Sequence, residues 1–322
     1  MFKDVPADTR HARISYFEWA HARARGRKKV FLESAWSCPT LHAGPPITPV
    51  KATPVLENLD LRVKLSREES NRRLGRVRSW LLKLQRTYWK EGVSALIAFE
   101  GWDAAGKGSS IRALTRRLEP RGFELHPIRE PRTLERQMPW LWRFWQKVPT
   151  YGSWAVFDRS WYGRVLVGRV EGLVDDDWQK TYRQINDFER ALADDRYVIM
   201  KFFLHIDKRE QKRRFKALER DPLTAWQVEA EDWKRHEKYK EYLAATEEML
   251  AYTETEWAPW TIVAATDRRW TRMKVLDTVV ERLENGLVTR GIALPSDDDL
   301  DFEHVDEDAE ADGADDDEGM GR

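Results

Sequence analysis

Three observations predict an α/β fold, three layers deep, with a parallel sheet between two layers of helices. Runs that read as strands recur at residues 95–99, 122–128, 154–157, 197–206 and 260–264, those at 95–99 and 154–157 as buried strands. Segments of helical periodicity separate them. The first run stops at a glycine-bounded loop, Gly101 to Gly108, that feeds a helix from Ser109. Strands alternating with helices need crossover connections, so the strands run parallel and both faces of the sheet are covered.

Residues 1–54 carry a basic cluster (Arg23, Arg25, Arg27, Lys28, Lys29) and then a proline-rich stretch, Gly44-Pro45-Pro46-Ile47-Thr48-Pro49. That composition predicts a poorly ordered leader or a loosely docked arm. The main domain is expected over 55–295. Ser66-Arg67-Glu68-Glu69 is a capping box that opens a helix to about Lys90, with Leu74, Val77, Leu81 and Leu84 as its apolar stripe. After the second strand, residues 133–147 read as a tryptophan-rich helix, and Trp140, Trp142 and Trp145 are expected in the core. Residues 175–193 read as the helix after the third strand, and 268–285 as the closing helix. Between the last two strands lies a highly charged helical insertion, about 207–252, interrupted at Asp221-Pro222.

Composition narrows the function. Charged residues make up 34% of the 322, mean hydropathy is −0.70, and no 18-residue apolar run occurs, which argues against a membrane helix. The first residues lack the apolar core of a secretory signal, and Cys38 is the single cysteine. A cytoplasmic setting is expected, with no internal disulfide and no cysteine-rich zinc site. The net charge of zero is deceptive. From Asp297 onward the chain holds 14 acidic residues and one Arg, so the rest carries 54 basic against 41 acidic, about +13. A body that positive suits a polyanion: nucleic acid, polyphosphate or nucleotides. Residues 296–322 are expected to be disordered, and could compete for a basic groove as a polyanion mimic.

The loop Gly101-Trp102-Asp103-Ala104-Ala105-Gly106-Lys107-Gly108 has the form of a phosphate cradle. Amide N–H groups at a helix start point at an anion, and a lysine adds a full positive charge. A plain turn would need the glycines but not a lysine between two of them. Candidate phosphate-binding positions are therefore Gly101, Ala105, Gly106, Lys107, Gly108 and Ser109. The usual loop has Ser or Thr after the lysine to hold magnesium. Gly108 stands there instead, so metal must fall to carboxylates, with Asp103 nearest.

The third strand ends at Asp158-Arg159-Ser160, where a magnesium-orienting aspartate belongs. Arg159 and Arg164 bracket Trp161-Tyr162-Gly163, and a guanidinium fork suits phosphate oxygens. A bare helix-capping aspartate with solvated arginines would leave its pairing with the upstream loop unexplained. The charged insertion begins Lys208-Arg209-Glu210-Gln211-Lys212-Arg213-Arg214. It sits where nucleotide kinases place a mobile lid, and Arg213 and Arg214 are its candidate phosphate contacts.

Taken together, the segments Phe99-Glu100-Gly101-Trp102-Asp103-Ala104-Ala105-Gly106-Lys107-Gly108, Phe157-Asp158-Arg159-Ser160-Trp161-Tyr162-Gly163-Arg164-Val165-Leu166-Val167 and Ala258-Pro259-Trp260 resemble polyphosphate kinase family 2 over about residues 55–288. The second segment most resembles the branch that makes nucleoside diphosphate from monophosphate. The resemblance implies a P-loop kinase-like fold with a helical lid. It implies transfer between inorganic polyphosphate and a nucleotide, AMP to ADP first, with magnesium as cofactor and homo-oligomers common. Asp103 and Asp158 match the family's metal-handling carboxylates, Lys107 its loop lysine and Arg159 the arginine after the second aspartate. Gly168 stands where many relatives carry Glu, and Leu218, near Arg220, where many carry Arg. Both departures bear on nucleotide preference and rate rather than reaction class. The other readings are a polyphosphate-dependent kinase of ADP or GDP, an ATP-dependent small-molecule kinase, and a polyanion-binding module. Nucleic acid is disfavoured, because it leaves Lys107, Asp103 and Asp158 without a role.

Overall fold

The computed structural model describes residues 55–174 and 177–296. The expected leader and almost all of the expected acidic tail lie outside these residues. In chain order the elements are α1 (Arg67–Glu91), β1 (Ser94–Gly101), α2 (Lys107–Thr115), β2 (Phe123–Pro127), α3 (Thr133–Arg136), α4 (Trp142–Trp145), β3 (Trp154–Asp158), α5 (Val167–Val170), α6 (Trp178–Asp194), β4 (Tyr197–His205), α7 (Lys208–Arg220), α8 (Ala230–Glu237), α9 (Tyr239–Thr253), β5 (Trp260–Ala264) and α10 (Arg268–Val288).

The five strands pair in parallel in the order β2-β3-β1-β4-β5. β1 is buried from Ser94 through Glu100, as a central strand covered on both faces should be. In register, Phe99 lies opposite Asp158 and Gly101 opposite Leu204. The chain leaves β1 on one side through β2 and β3, then crosses to its other side with β4 and β5. The carboxyl ends of β3, β1 and β4 therefore border a topological switch point, where open α/β sheets bind ligands.

Helix ends follow local chemistry. Ser66 Oγ accepts from the Glu69 N–H at 3.1 Å, while the Glu69 carboxylate turns to Arg72 and Arg73. α1 closes at Gly92, whose φ of 65° lets its N–H reach the Trp89 and Tyr88 carbonyls. Leu74, Leu81, Leu84 and Tyr88 of α1 pack with Val275, Leu276, Val279 and Leu283 of α10, all within the buried core. Burying one such aliphatic side chain contributes about 1.5–3 kcal/mol.

Three expectations are corrected. The helix expected over 133–147 is two short helices, α3 and α4, with Pro139 between them. Proline removes an N–H and its ring collides with the preceding turn, so a continuous helix cannot form. Trp140 and Trp142 are consequently half-buried and Trp145 is exposed; among the described residues Trp154 and Trp161 are the fully buried indoles. α6 begins at Trp178, because Asp177 caps it by accepting from the Lys180 N–H. α2 begins at Lys107 rather than Ser109, with Gly106 as its N-cap at φ 103°.

The insertion is helical as expected, and α7 stops at Arg220. Pro222 disfavours helical geometry at the residue before it, and Asp221 is extended at φ −94° and ψ 116°. No helix among the described residues is long and apolar enough to cross a membrane.

Candidate active site

The loop after β1 is held in an unusual backbone shape. Gly101, Ala104 and Gly106 have φ of 135°, 61° and 103°. Lys107 is the first residue of α2, so the amides of Lys107, Gly108 and Ser109 belong to the helix's unpaired first turn. The Ala105 N–H does not join them: it donates to the Trp102 carbonyl at 3.0 Å and closes the turn. Ser109 Oγ donates to the Gly106 carbonyl at 2.9 Å.

Lys107 is nine-tenths buried. Its Nζ donates to the carbonyls of Gly101 at 2.8 Å and Trp102 at 2.9 Å, and lies 3.8 Å from Asp103 Oδ1. Burial holds its pKa below the ordinary lysine value, although Asp103, Asp158 and Glu100 oppose the shift. Arg159 Nη2 donates to Asp103 Oδ1 at 2.6 Å. Burial alone would raise the Asp103 pKa, but Lys107, Arg159 and Arg235 together hold it below the usual carboxylate range. Asp103 is also the main reason the Arg159 pKa is raised. Asp158 acts electrostatically on both Lys107 and Arg159, so Asp103, Asp158, Lys107 and Arg159 share one site.

Two groups absent from the expected set shape this centre. Glu100, at the end of β1, is buried and accepts from the Ser160 N–H at 2.8 Å and Ser160 Oγ at 2.7 Å. With the Arg159 N–H donating to the Phe99 carbonyl at 3.0 Å, these bonds fasten the turn after β3 to the end of β1. Arg159 itself has φ 63°, a left-handed conformation that a side chain disfavours. Burial raises the Glu100 pKa despite its bonds to Ser160 and the nearby cations. Arg235, from α8, places Nη1 3.9 Å from Asp103 Oδ2 and 3.3 Å from Asp232 Oδ1. It is the arginine of the insertion that faces the aspartate of the loop.

Arg213 and Arg214 have other partners. Arg213 donates twice to Glu210 at 2.7 Å on an exposed face. Arg214 is buried and donates to Glu210 and to the carbonyls of Ala104, Ala265 and Thr266 at 2.6–2.9 Å. It braces the loop rather than projecting from it. Helical phase could have separated the two: Gln211, Arg214 and Phe215 share the buried face at spacings of three and four. The Arg164 guanidinium lies 5.1 Å from the centre of the Trp140 ring. A Cβ at Gly108 would meet nothing within 4 Å, whereas one at Gly168 would lie 3.0 Å from Val174 Cγ2. Leu218 is half-buried, and its carbonyl accepts from Thr224.

Among the described residues, no group of three or more His, Cys, Asp or Glu forms a ready metal cage. Magnesium does not require one. It binds through one or two carboxylates and completes its shell with water and phosphate oxygens. Asp103 and Asp158 fit that requirement in number and donor type.

A parallel sheet with a strand, glycine loop and helix at its switch point, and a helical insertion bearing on the loop, defines a P-loop kinase-like protein. The family model described as Polyphosphate kinase 2 matches residues 64–290, and the chain belongs to that family. It is 42% identical over 231 residues to a polyphosphate:AMP phosphotransferase of Pseudomonas syringae pv. tomato, covering 71% of this chain and 46% of the relative. A protein of the same name from Pseudomonas aeruginosa is 41% identical over 244 residues, 76% of this chain and 49% of its own. This chain thus spans about half the length of these relatives. The crystal structure of polyphosphate kinase 2 from Arthrobacter aurescens TC1 superposes with a TM-score of 0.71 at 28% identity, over 79% of this chain and 92% of that one.

Proposed function

We propose that this chain transfers a phosphoryl group between inorganic polyphosphate and a nucleotide, with AMP to ADP the preferred conversion. The observation that carries the reading is the convergence of Lys107, Asp103 and Arg159 at the glycine loop. The names of the Pseudomonas relatives favour AMP as acceptor.

Both reactants are anions, so bringing them together demands positive charge, and a loose transition state leaves little covalent work for the protein. Positioning and electrostatics supply most of the acceleration. Lys107 has three donors, two of them on the carbonyls of Gly101 and Trp102, which leaves the third for a phosphate oxygen. The amides of Gly106, Lys107, Gly108 and Ser109 add their partial charges. Arg159 exchanges its bond to Asp103 for the transferring phosphate, and Arg235 and Arg164 approach from the insertion and from the turn after β3. Asp103 and Asp158 would hold magnesium, which supplies charge neutralisation between the phosphates. No general base is required, because a phosphate monoester is ionised near neutral pH. The insertion acts as a lid over a cytoplasmic substrate.

The test is incubation with long-chain polyphosphate, magnesium and each of AMP, ADP, GMP and GDP, with products separated by chromatography. ADP formed fastest from AMP supports the reading. ATP or GTP from diphosphates alone would make the chain a polyphosphate-dependent diphosphate kinase. Turnover with ATP but not polyphosphate, or tight RNA binding without transfer, would overturn it.

A further inference from the structure

Ala104 is the strained point of the loop. Its φ of 61° is left-handed, a conformation that a residue with a side chain disfavours and that persists only when neighbours enforce it. The two peptide groups that flank it are both held from outside the loop, by one helix. Gln211 Nε2 donates to the Asp103 carbonyl at 3.2 Å, and Arg214 Nη1 donates to the Ala104 carbonyl at 2.9 Å. Because each peptide unit is planar and trans, fixing a carbonyl also fixes the direction of the N–H that follows. Gln211 and Arg214 lie one turn apart on α7, so a single rigid element sets both planes.

Gln211 is itself oriented. Its buried side chain meets His236 Nδ1 through Oε1 at 2.8 Å. A carbonyl accepts only from the amide nitrogen, so Oε1 must face the imidazole, and the proton between them sits on Nδ1. His236 lies on α8 and packs edge-on against Phe215 of α7 and against Trp233, with ring centroids at 6.0 and 5.7 Å. α8 also carries Arg235, which faces the Asp103 carboxylate. The backbone and the side chain of Asp103 are therefore gripped from adjacent residues of the same helix, one of them acting through Gln211.

We infer that Gln211, turned by His236, is a positioning residue that with Arg214 clasps the glycine loop and holds Ala104 left-handed, so that the insertion sets the loop's shape. The inference rests on the transfer activity proposed above for its kinetic arm only. Losing one net hydrogen bond in a buried relay costs about 1.4 kcal/mol, a tenfold change in rate. Gln211→Met, which keeps length and removes both bonds, should lower kcat about tenfold while KM for the nucleotide moves less than about threefold. His236→Asn, whose amide nitrogen can replace Nδ1, should stay within about twofold of the parent. His236→Phe should match Gln211→Met, and the two combined should be no worse than either alone. In an Ala104→Gly background, where positive φ is free of steric cost, Gln211→Met should do less damage.

Amide hydrogen exchange over residues 101–108 is the second reading, and it needs no activity. It should quicken in Gln211→Met and His236→Phe but not in His236→Asn. If the parent protein shows no polyphosphate-dependent turnover, the proposed function fails and exchange alone decides the clasp. Should Gln211→Met not fold, the His236 pair carries the comparison. Equal kcat in His236→Phe and the parent, equal damage from His236→Asn and His236→Phe, multiplicative losses, or unchanged exchange in 101–108 would each overturn the clasp.

Discussion

A Cβ at Gly101 would lie 2.4 Å from the Leu204 carbonyl oxygen and 2.7 Å from its nitrogen, at a φ of 135°. Neither backbone atom can yield without breaking the register of β1 on β4. Gly101→Ala should therefore lower stability by roughly 1–3 kcal/mol, seen as a melting point several degrees lower. Gly108, where an added Cβ meets nothing, is the control: alanine there should leave the melting point within about a degree, since the site is the exposed first turn of a helix. An equal loss in both variants would mean that the steric argument is wrong. At this scale the loop motif was legible, because glycines, lysine and aspartate within eight residues carry their own geometry. Glu100 and Gln211 were not, since their partners lie 60 and 108 residues away and only the fold unites them. A lone ionisable residue inside an apolar strand was the available signal for Glu100.

The segment after β3 depends on a buried ion pair between elements. Glu189 of α6 accepts from Trp161 Nε1 at 3.0 Å and Tyr162 OH at 2.7 Å, while Lys201 of β4 donates to Glu189 at 2.9 Å, Tyr162 OH at 3.0 Å and the Thr253 carbonyl at 2.7 Å. This network ties the turn carrying Arg159 and Arg164 to the strand behind it and to the end of α9. Both charges are fully buried, and removing one partner of such a pair costs about 3–5 kcal/mol. Lys201→Met should show that loss in urea unfolding, and Lys201→Met with Glu189→Gln should recover part of it. A double variant worse than Lys201→Met would contradict the pairing. The three central strands β3, β1 and β4 were legible as apolar runs, because a parallel sheet buries both faces there and leaves no alternation to misread; β2, a largely exposed edge strand with Glu124 and His126 in it, had no such run. The split of the 133–147 helix was legible too, in Pro139, but the tryptophans around it masked the break.

Across the whole molecule, one buried histidine gives stability a pH dependence of definite sign. His205 Nδ1 accepts from Trp102 Nε1 at 2.9 Å, and burial depresses its pKa from 6.5 to about 4, opposed by Asp207. Between those values the unfolded chain binds more protons than the native one, so stability rises with pH and is lost as pH falls from about 6.5 towards 4. The loss from this group is roughly 3 kcal/mol. Denaturant titrations at pH 7 and 4.5 should show it, and His205→Asn, which keeps an acceptor for Trp102, should flatten the difference. Equal slopes in both proteins would assign the dependence elsewhere.

The central claim is that an ammonium at the glycine loop drives phosphoryl transfer from polyphosphate to a nucleotide. It is tested most directly by polyphosphate-dependent turnover of Lys107→Ala with AMP, measured beside the parent protein. The account predicts a fall of at least ~10²-fold, the scale of losing one oriented donor, with the fold intact by circular dichroism. Turnover within a few-fold of the parent would contradict it.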